Sequence, residues 1–543
     1  MLIIQNFVFY NLIFFIGRGL FIFFRDFSNK KEINNFFGIN IEYFFPIITF
    51  FLIGNISFVA NFFIPIKNNV IFIFLLIFIL FNFKDKTKDL DIKQLLVTNL
   101  VVPVVLGVSS YSVGFHYDAG LYHLNIQNWI INEKIVLGVQ NIYLPLGYST
   151  LNEYILANFW MGENFIFLHL VNLAFLNAFY SFVYFFIFKS KIKYYKFSGV
   201  FLLAYGLLDN FGFNGGNNGF LNIQGIGKVD NNFAIIFFLS SLFLFYLIIN
   251  KSYEFYNFFI ISNLILFAIE MKIYGYGLMI VYIYYFFNFM NKDNLFKEKL
   301  KIILLPISLG VLWLVKSYLK TGCLIYPINL SCFTNTPWYS TRTDFLTLET
   351  REFHNSYTIG QNIPEWFVKF SSKKIDYSIF LNFFFSYLII LIFLILFFNR
   401  KKLENKINYL IVLFIFSNLL IYFFSAPTPR FFIGLFLFIF SISGSLIDKL
   451  KFNINEKSLS IPLFLLFIGT VVLTPRISDY GKFLDNPIEN RVLKPTEIEY
   501  MTNDGWGVKP VDGEKCWINI ECTEASVELD TKIVNNYKII NEK

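Results

Sequence analysis

The chain has 543 residues, of which 56% are hydrophobic and 15% are charged, and its mean hydropathy is +0.57. These values exclude a water-soluble globular protein and indicate a polytopic membrane protein. The net charge of +8 does not indicate nucleic-acid binding, because Lys and Arg concentrate in short connections between apolar segments. The first residues lack a basic segment and a small-residue cleavage site, so we expect a retained first span, not a signal peptide.

Apolar runs of a length suited to crossing a bilayer, roughly 20 residues, predict an all-α bundle of about 13–14 transmembrane helices. The runs lie near 2–24, 41–64, 69–83, 95–112, 164–188, 197–209, 231–249, 256–273, 276–290, 302–319, 377–398, 407–424, 431–447 and 459–474. Alternate connections are short and hold about half of the Lys and Arg, so the positive-inside rule assigns them to the cytoplasm. The long segments 113–163, 210–230 and 320–376, the tail and both termini are then extracytoplasmic.

The predicted domain organisation is a transmembrane domain over 1–474 and a small extracytoplasmic C-terminal segment over 475–543, which we expect to lie over the outer loops. All four cysteines, Cys323, Cys332, Cys516 and Cys522, fall in segments assigned to the outside. Four cysteines allow three connectivities, of which the local pairs Cys323–Cys332 and Cys516–Cys522 close the shortest loops. An oxidising compartment permits both disulfides, and the alternative is four free thiols.

The segment VGFHYDAGLYHLNIQNW, residues 113–129, brings ionisable groups together after an apolar run. We expect a helix to start at Asp118, with its carboxylate either capping the first turn or acting as a general base made more basic by low local dielectric. His116 and His123 are expected to bind substrate. The alternative is a metal site that includes His116, Asp118 and His123, because imidazole and carboxylate are ordinary metal ligands.

The helix that follows Asp118 is predicted to lie flat in the membrane interface. Tyr122, Ile126, Trp129 and Ile130 recur at helical spacing, which is the stripe of such a helix, with Tyr122 and Trp129 at the depth of the lipid headgroups.

Further candidate residues lie at the ends of predicted spans. Lys228 and Asp230 end a Gly- and Asn-rich loop that can approach an anion closely, although a flexible turn with an internal Lys–Asp pair explains them equally well. Glu270 and Lys272 stand in FAIEMKIYGYG, where a charge usually faces a cavity or a partner. Arg430, in SAPTPRFFIGLF, is suited to bidentate phosphate contact or to anchoring at the interface.

The second large outer loop supplies aromatic candidates. Tyr326 and Trp338 lie in and after TGCLIYPINLSCF and are able to stack on sugar rings. Membership of an interfacial aromatic belt is the alternative.

Several of these motifs occur together and in order: HYDAGLYH, GKVDN before a span, GCLIYPINLSCF with a following Trp, SAPTPRFFIG, and NDGWGVKPVDGEKCWINIECT in the tail. In this order they are similar to a family of bacterial polytopic membrane proteins that resembles the GT-C glycosyltransferases. The resemblance implies a fold of many spans, an extracytoplasmic active site and a polyprenyl-phosphate-linked sugar donor. It also implies that Asp118, in the first large outer loop, is the catalytic base. A divalent metal at His116 and Asp118 is a possible cofactor.

The function predicted from the sequence is therefore an inverting membrane glycosyltransferase of cell-surface glycan or glycoconjugate synthesis. Its expected partners are the lipid bilayer, the lipid-linked sugar donor and a glycan or lipid-linked acceptor, with Arg430, Lys272 and Lys228 neutralising the leaving phosphate. One alternative is a carrier or flippase for lipid-linked saccharide. Another is an O-antigen-type polymerase or ligase, which would rely on loop arginines such as Arg342 and Arg351.

Overall fold

The structure is a computed structural model of the whole chain. It describes residues 1–27, 35–67, 69–83, 91–111, 113–162, 164–191, 193–210, 223, 225–292, 296–353, 356–358, 360–372, 405–427, 429–447, 477–486, 492–503, 505–511, 513–523 and 528–543.

Most of the described residues form helices. The α-helices are α1 Leu2–Phe27, α2 Phe45–Asn61, α3 Val70–Leu76, α4 Ile92–Leu95, α5 Val102–Ser109, α6 Leu124–Asn132, α7 Leu151–Ala157, α8 Ile166–Tyr184, α9 Lys193–Asn210, α10 Asp230–Ile249, α11 Phe255–Met271, α12 Met279–Asn291, α13 Phe296–Thr321, α14 Thr343–Phe353, α15 Ile363–Ser372, α16 Asn405–Ser425, α17 Ile433–Ile447 and α18 Ile477–Asp485. Wider π-helical turns occupy Leu96–Val101, Ala119–His123 and Phe185–Lys189. Tighter 3-10 turns occupy Ile41–Phe44, Ile77–Phe83, Val139–Asn141, Leu144–Gly147, Ile273–Leu278, Asn329–Ser331 and Pro429–Phe432.

Within the described residues, eight helical segments are long and apolar enough to cross a membrane, and three shorter ones are apolar over 10–17 residues. The multi-pass membrane class predicted from composition is thereby confirmed. The predicted run 197–209 falls within α9, which is not among the eight. The runs 377–398 and 459–474 lie outside the described residues, so the predicted total of about 13–14 spans stays a prediction.

The helices sort into a buried centre and an apolar exterior. Nearly every residue of α8 and α10 is buried, including polar ones, so both helices are surrounded by protein. By contrast, α13 exposes Leu304, Ile307 and Val311, each more than half accessible. Apolar side chains left accessible along long helices are what a lipid-facing surface requires, because lipid takes the place of water there.

The segment 113–163 does not form the interfacial helix predicted for it. After the π-turn Ala119–His123 comes α6, whose Ile126, Trp129 and Ile130 are only 5–6% exposed and belong to the main core cluster. The amphipathic stripe therefore faces the rest of the protein, and Trp129 does not face a bilayer. The period of the apolar residues was read correctly, but the same period describes a helix buried against protein.

The C-terminal tail contains strands, so the all-α prediction is wrong in this part. Antiparallel pairs join β3 Tyr500–Thr502 to β4 Val508–Pro510 and β5 Leu529–Val534 to β6 Tyr537–Glu542, and a two-residue pair, β1 Asn35–Phe36 with β2 Ile39–Asn40, occurs near the N-terminus.

The tail packs on the segments 113–163 and 320–376, as expected from the sequence. The backbone N–H of Trp517 donates to the Gly120 carbonyl at 2.8 Å, and a Cβ on Gly120 would lie 2.8 Å from the Trp517 ring. Further along, the Arg342 guanidinium donates through Nε to Glu542 at 2.7 Å. The π-turn that follows Asp118 is thus held between the bundle and the tail.

Both local disulfides predicted from the sequence are present. Cys323 is bonded to Cys332 and Cys516 to Cys522, and no free cysteine remains. The second bridge closes the short loop that carries Trp517 onto Gly120.

We expect chymotryptic digestion without reduction to yield the linked pairs Cys323–Cys332 and Cys516–Cys522, because each pair closes a short loop in the structure. Mass spectrometry before and after reduction measures this. A linkage between the two loops, or free thiols in protein from an oxidising compartment, would contradict the pairing.

We expect Gly120→Ala to loosen the tail, because its Cβ would overlap the Trp517 ring, and overpacking of this kind costs about 1–3 kcal/mol. Limited proteolysis of the tail measures the effect. Gly114→Ala is the matched control, since nothing lies within 4 Å of a Cβ built at that position. Equal cleavage rates in both variants would show that the Trp517 contact does not hold the tail.

Candidate functional site

The approach of two backbone segments creates the centre of the site. The His116 N–H donates to the Ile226 carbonyl at 2.8 Å, and the Ile226 N–H donates to the Gly114 carbonyl at 3.1 Å. Glycine is required beside this bridge: a Cβ on Gly225 would lie 2.6 Å from the Gly114 oxygen, and one on Gly227 would meet Ala119 at 2.6 Å. The GIGK sequence thereby brings the residue after Gly227 onto the loop that ends at Asp118.

Asp118 is paired with Lys228, which lies 110 positions later in the chain. The Lys228 Nζ donates to Asp118 Oδ2 at 3.0 Å, and the lysine side chain is only 8% exposed. His116 Nδ1 lies 3.5 Å from the same carboxylate oxygen. Asp118 makes no side-chain capping bond to the turn that follows, so the prediction that it caps a helix is wrong. Lys228 does not pair with Asp230, the partner that their spacing suggested.

The environment of Asp118 makes it less basic, not more. Burial by itself raises the pKa of Asp118, but hydrogen bonding to His116 and the charge and hydrogen bond of Lys228 outweigh it, and the pKa lies well below its ordinary value. The expectation of raised basicity is therefore wrong. Asp118 is a fixed, ionised carboxylate that accepts hydrogen bonds.

A second ion pair stands beside the first. Lys272 lies in the break between α11 and the 3-10 turn Ile273–Leu278, and its Nζ donates to Asp230 Oδ1 at 2.5 Å. Asp230 is the first residue of α10, where a carboxylate is favoured by the helix dipole. The same ammonium lies 3.8 Å from the centroid of the Phe431 ring, a cation–π distance.

Arg430 supplies the third cation. Its guanidinium carbon is 4.9 Å from the Phe431 centroid, and the group interacts electrostatically with Lys228, Asp230 and Lys272. Among the described residues no partner accepts a hydrogen bond from its buried Nε. We call Asp118, Lys228, Asp230, Lys272 and Arg430 the charge cluster. Three cations face two carboxylates, which leaves a surplus of one positive charge.

An apolar recess adjoins the charge cluster. It shares the ring of Phe431 with the cluster, and α10 and α17 supply most of its other walls. Its lining residues are Phe233, Phe237, Tyr274, Asn418, Phe431, Phe432, Gly434 and Leu435. The cluster thus stands beside a small recess whose lining is mostly aromatic.

Glu270 does not join the cluster, although the sequence analysis grouped it with Lys272. It is fully buried in α11 and accepts a hydrogen bond from Asn55 Nδ2 at 3.1 Å. It interacts electrostatically with Lys316 of α13, which is also fully buried. The extended backbone at Lys272 turns the two side chains toward different parts of the bundle.

His123 belongs to a buried chain of hydrogen bonds that includes a residue missed in the sequence. Its Nδ1 lies 2.5 Å from Glu153 Oε1, and Gln127 Nε2 donates to Glu153 Oε2 at 2.6 Å. Trp160 Nε1 donates to Gln127 Oε1 at 2.6 Å. Glu153 is 1% exposed, and only its three-dimensional neighbours distinguish it from an ordinary acid in the first turn of a helix.

The aromatic candidates of the segment 320–376 are occupied in packing. Tyr326 is 7% exposed, donates to the Leu144 carbonyl at 2.9 Å and meets Tyr148 edge to face at 5.7 Å. Tyr148 in turn lies 6.2 Å from Tyr122, so the row of rings ends close to Asp118. Trp338 is half-buried and bonded to the Tyr318 carbonyl. Among the residues that the structure describes, neither Tyr326 nor Trp338 contacts the charge cluster.

The donor set does not fit a metal. Within the described ranges, no group of three His, Cys, Asp or Glu residues is arranged to hold a metal ion. His116 and Asp118 are close, but the charge next to Asp118 is the ammonium of Lys228, which competes with a cation.

Comparison with known proteins gives one match. Searches of curated proteins and of solved structures return no match to this chain. The model of the family described as a domain of unknown function, DUF8201, matches residues 1–437. Because this match covers most of the chain, the protein belongs to the DUF8201 family.

Proposed function

We propose that this protein is a membrane glycosyltransferase that takes a sugar from a polyprenyl-phosphate donor and passes it to a hydroxyl-bearing glycan or lipid-linked acceptor. The observation that carries the proposal is the charge cluster, with its surplus positive charge and the unpartnered Nε of Arg430 at the rim of an apolar recess. The resemblance of the sequence motifs to GT-C glycosyltransferases supports the same reading. The proposed setting is the outer face of a bacterial inner membrane.

The cations suit a lipid phosphate. Lys228 and Lys272 are each balanced by a carboxylate, whereas the charge of Arg430 is shared among several groups. A guanidinium binds phosphate through two parallel N–H groups, and an unpaired buried N–H favours any anion that accepts from it. The phosphate would therefore bind at Arg430, with Lys272 next to it.

The aromatic rings beside the cations suit contact with the hydrocarbon next to a lipid phosphate. Most of the residues that line the small recess are aromatic, and it shares Phe431 with the cations. A ligand with a charged head and an apolar tail fits this combination better than a soluble nucleotide sugar does, because a nucleotide would bury polar groups against these rings.

The reaction proposed here is a single displacement with inversion. The acceptor oxygen forms a bond to the anomeric carbon and loses its proton, while the bond from that carbon to the phosphate oxygen breaks and its electron pair leaves on the phosphate. The cations stabilise the charge that grows there. Asp118, ionised and fixed by Lys228, accepts a hydrogen bond from the acceptor hydroxyl and stabilises positive charge on the sugar.

A carrier or flippase is the second candidate, and one observation favours it. Glu270 and Lys316 are fully buried within the bundle and interact electrostatically, and among the described residues neither Glu270 Oε1 nor Lys316 Nζ has a hydrogen-bond partner. Ionisable groups inside the bundle are typical of transport pathways. Release of polyprenyl phosphate by purified protein in detergent separates the two candidates, because a carrier releases none.

We expect Asp118→Asn to abolish release of polyprenyl phosphate, because the amide removes the negative charge and the strong acceptor beside Lys228. Thin-layer or mass-spectrometric assay of purified protein with donor and acceptor measures it. Asp91→Asn is the matched control, since Asp91 also pairs with a lysine, Lys189, at the far end of the helical segment Ile166–Lys189, whereas Phe115 of the Asp118 loop packs on Phe165 at its start. Full turnover in Asp118→Asn protein that inserts normally would refute its catalytic role.

We expect Arg430→Gln to weaken binding of polyprenyl phosphate by about 10-fold or more, since a charge-assisted hydrogen bond is worth about 1.5–3 kcal/mol. Calorimetric titration in detergent measures the affinity. Arg351→Gln, on α14, is the control and should bind normally. If Arg351→Gln loses activity and Arg430→Gln keeps it, the polymerase or ligase alternative is favoured instead.

A further inference from the structure

The group that finally takes the acceptor proton is a separate question, because Asp118 is tied to Lys228 at 3.0 Å. A carboxylate whose charge is already satisfied by a lysine is a weak proton acceptor. One π-turn later the chain places His123, whose ring lies 4.3 Å from the ring of Tyr122. Tyr122 is within electrostatic reach of both Asp118 and Arg430. His123 is thus linked to the charge cluster through the neighbouring Tyr122, and it does not belong to the cluster.

A donor-only group fixes the direction of the hydrogen bonds that hold His123. The indole N–H of Trp160 can only donate, so the atom of Gln127 that faces it, at 2.6 Å, is the carbonyl oxygen. The amide nitrogen of Gln127 then donates to Glu153 Oε2, also at 2.6 Å. Oε2 of Glu153 is therefore an acceptor, and in an ionised Glu153 Oε1 can only accept as well.

It follows that His123 donates its Nδ1–H to Glu153 Oε1, across 2.5 Å. Fixing the proton on Nδ1 leaves the lone pair of a neutral imidazole on Nε2. In the part of the chain that the structure describes, Nε2 makes no hydrogen bond, and it is not among the fully buried polar atoms that lack a partner. The basic nitrogen therefore keeps some accessible surface, although the whole side chain is only 8% exposed.

We propose that His123 Nε2 is the general base of the transfer and that Glu153 is the positioning residue that holds its tautomer. This inference rests on the proposed function. The acceptor O–H proton moves to Nε2, the acceptor oxygen bonds to the anomeric carbon, and the electron pair of the broken bond leaves with the phosphate of the lipid donor. Asp118 orients the hydroxyl and remains ionised.

The groups around the imidazole suit this role. Glu153 of α7 stabilises the imidazolium that forms, as a buried carboxylate does in a carboxylate–histidine pair. Lys320 of α13 interacts electrostatically with Glu153, and Tyr122 covers one side of the ring. Gln127 and Trp160 hold Glu153 without adding charge.

Two substitutions of His123 separate a basic role from a structural one. His123→Gln keeps a donor for Glu153 but has no basic nitrogen, and we expect turnover to fall by about 10²–10⁴-fold, the usual worth of a general base. His123→Ala leaves a space beside Glu153, and we expect added imidazole to restore part of its turnover. Added imidazole should not raise the turnover of Asp118→Asn, because His123, the proposed base, is intact in that variant.

Wild-type turnover in His123→Gln, or no rescue of folded His123→Ala by imidazole, would overturn the assignment. Glu153→Gln should lower turnover without changing donor affinity, because Glu153 acts through His123. An unchanged rate in that variant would contradict the positioning role.

A second readout does not depend on turnover. Diethyl pyrocarbonate modifies unprotonated imidazole nitrogens, and peptide mass spectrometry locates the product. We expect His123 to be modified in the wild type, more slowly than His116, which is 34% exposed, and several-fold more slowly still in Glu153→Gln. Fully buried His169 serves as the negative reference. An unreactive His123 would overturn this inference alone, whereas an inactive wild type with a reactive His123 would count against the proposed function alone.

Discussion

The ion pair between Lys228 and Asp118 joins the two halves of the site. In an apolar bundle a charge without a partner is expensive, on the order of 2.5–3.5 kcal/mol for a lysine or aspartate at the centre of a span. Lys228 is almost wholly buried, so its pairing with Asp118 fixes the loop that ends at residue 118 against the start of α10. Asp230 can then pair with Lys272. Arg430 interacts electrostatically with residues of both pairs, and among the described residues its buried Nε has no hydrogen-bond partner.

The sequence revealed the individual parts of this site much better than their pairing. Asp118, Lys228, Asp230, Lys272 and Arg430 were each recognisable as charges at the ends of apolar runs, because such charges are rare in this chain. Proximity in sequence suggested the pair Lys228 with Asp230, but the Gly114–Ile226 bridge brings a partner from 110 positions away. That bridge depends on glycines at 225 and 227, whose role is visible only when a backbone is seen against them.

For the fold, too, the sequence predicts the separate elements better than the contacts between them. Hydropathy gave the membrane class and the positions of the long helices, since the bilayer demands apolar runs of a fixed length. Spacing of the cysteines gave both disulfides. The stripe through Trp129 was misassigned because a helix packed on protein and one lying on lipid have the same period, and what covers the stripe is decided by distant residues. Glu153 was not predicted as a site residue for a related reason. Its partners His123 and Gln127 are known only from the folded chain.

Asp118 and Glu153 are therefore suited to different roles in the proposed reaction. Asp118 faces an ammonium, so its negative charge is stable but its affinity for a proton is low. Glu153 faces an imidazole, and an ionised Glu153 would stabilise the imidazolium that forms when the ring takes a proton. A hydroxyl between Asp118 and His123 would give its hydrogen bond to the first and its proton to the second. In the proposed reaction neither residue would suffice alone, because an orienting carboxylate without a base leaves the proton in place, and a base without orientation leaves the oxygen free to rotate away from the anomeric carbon.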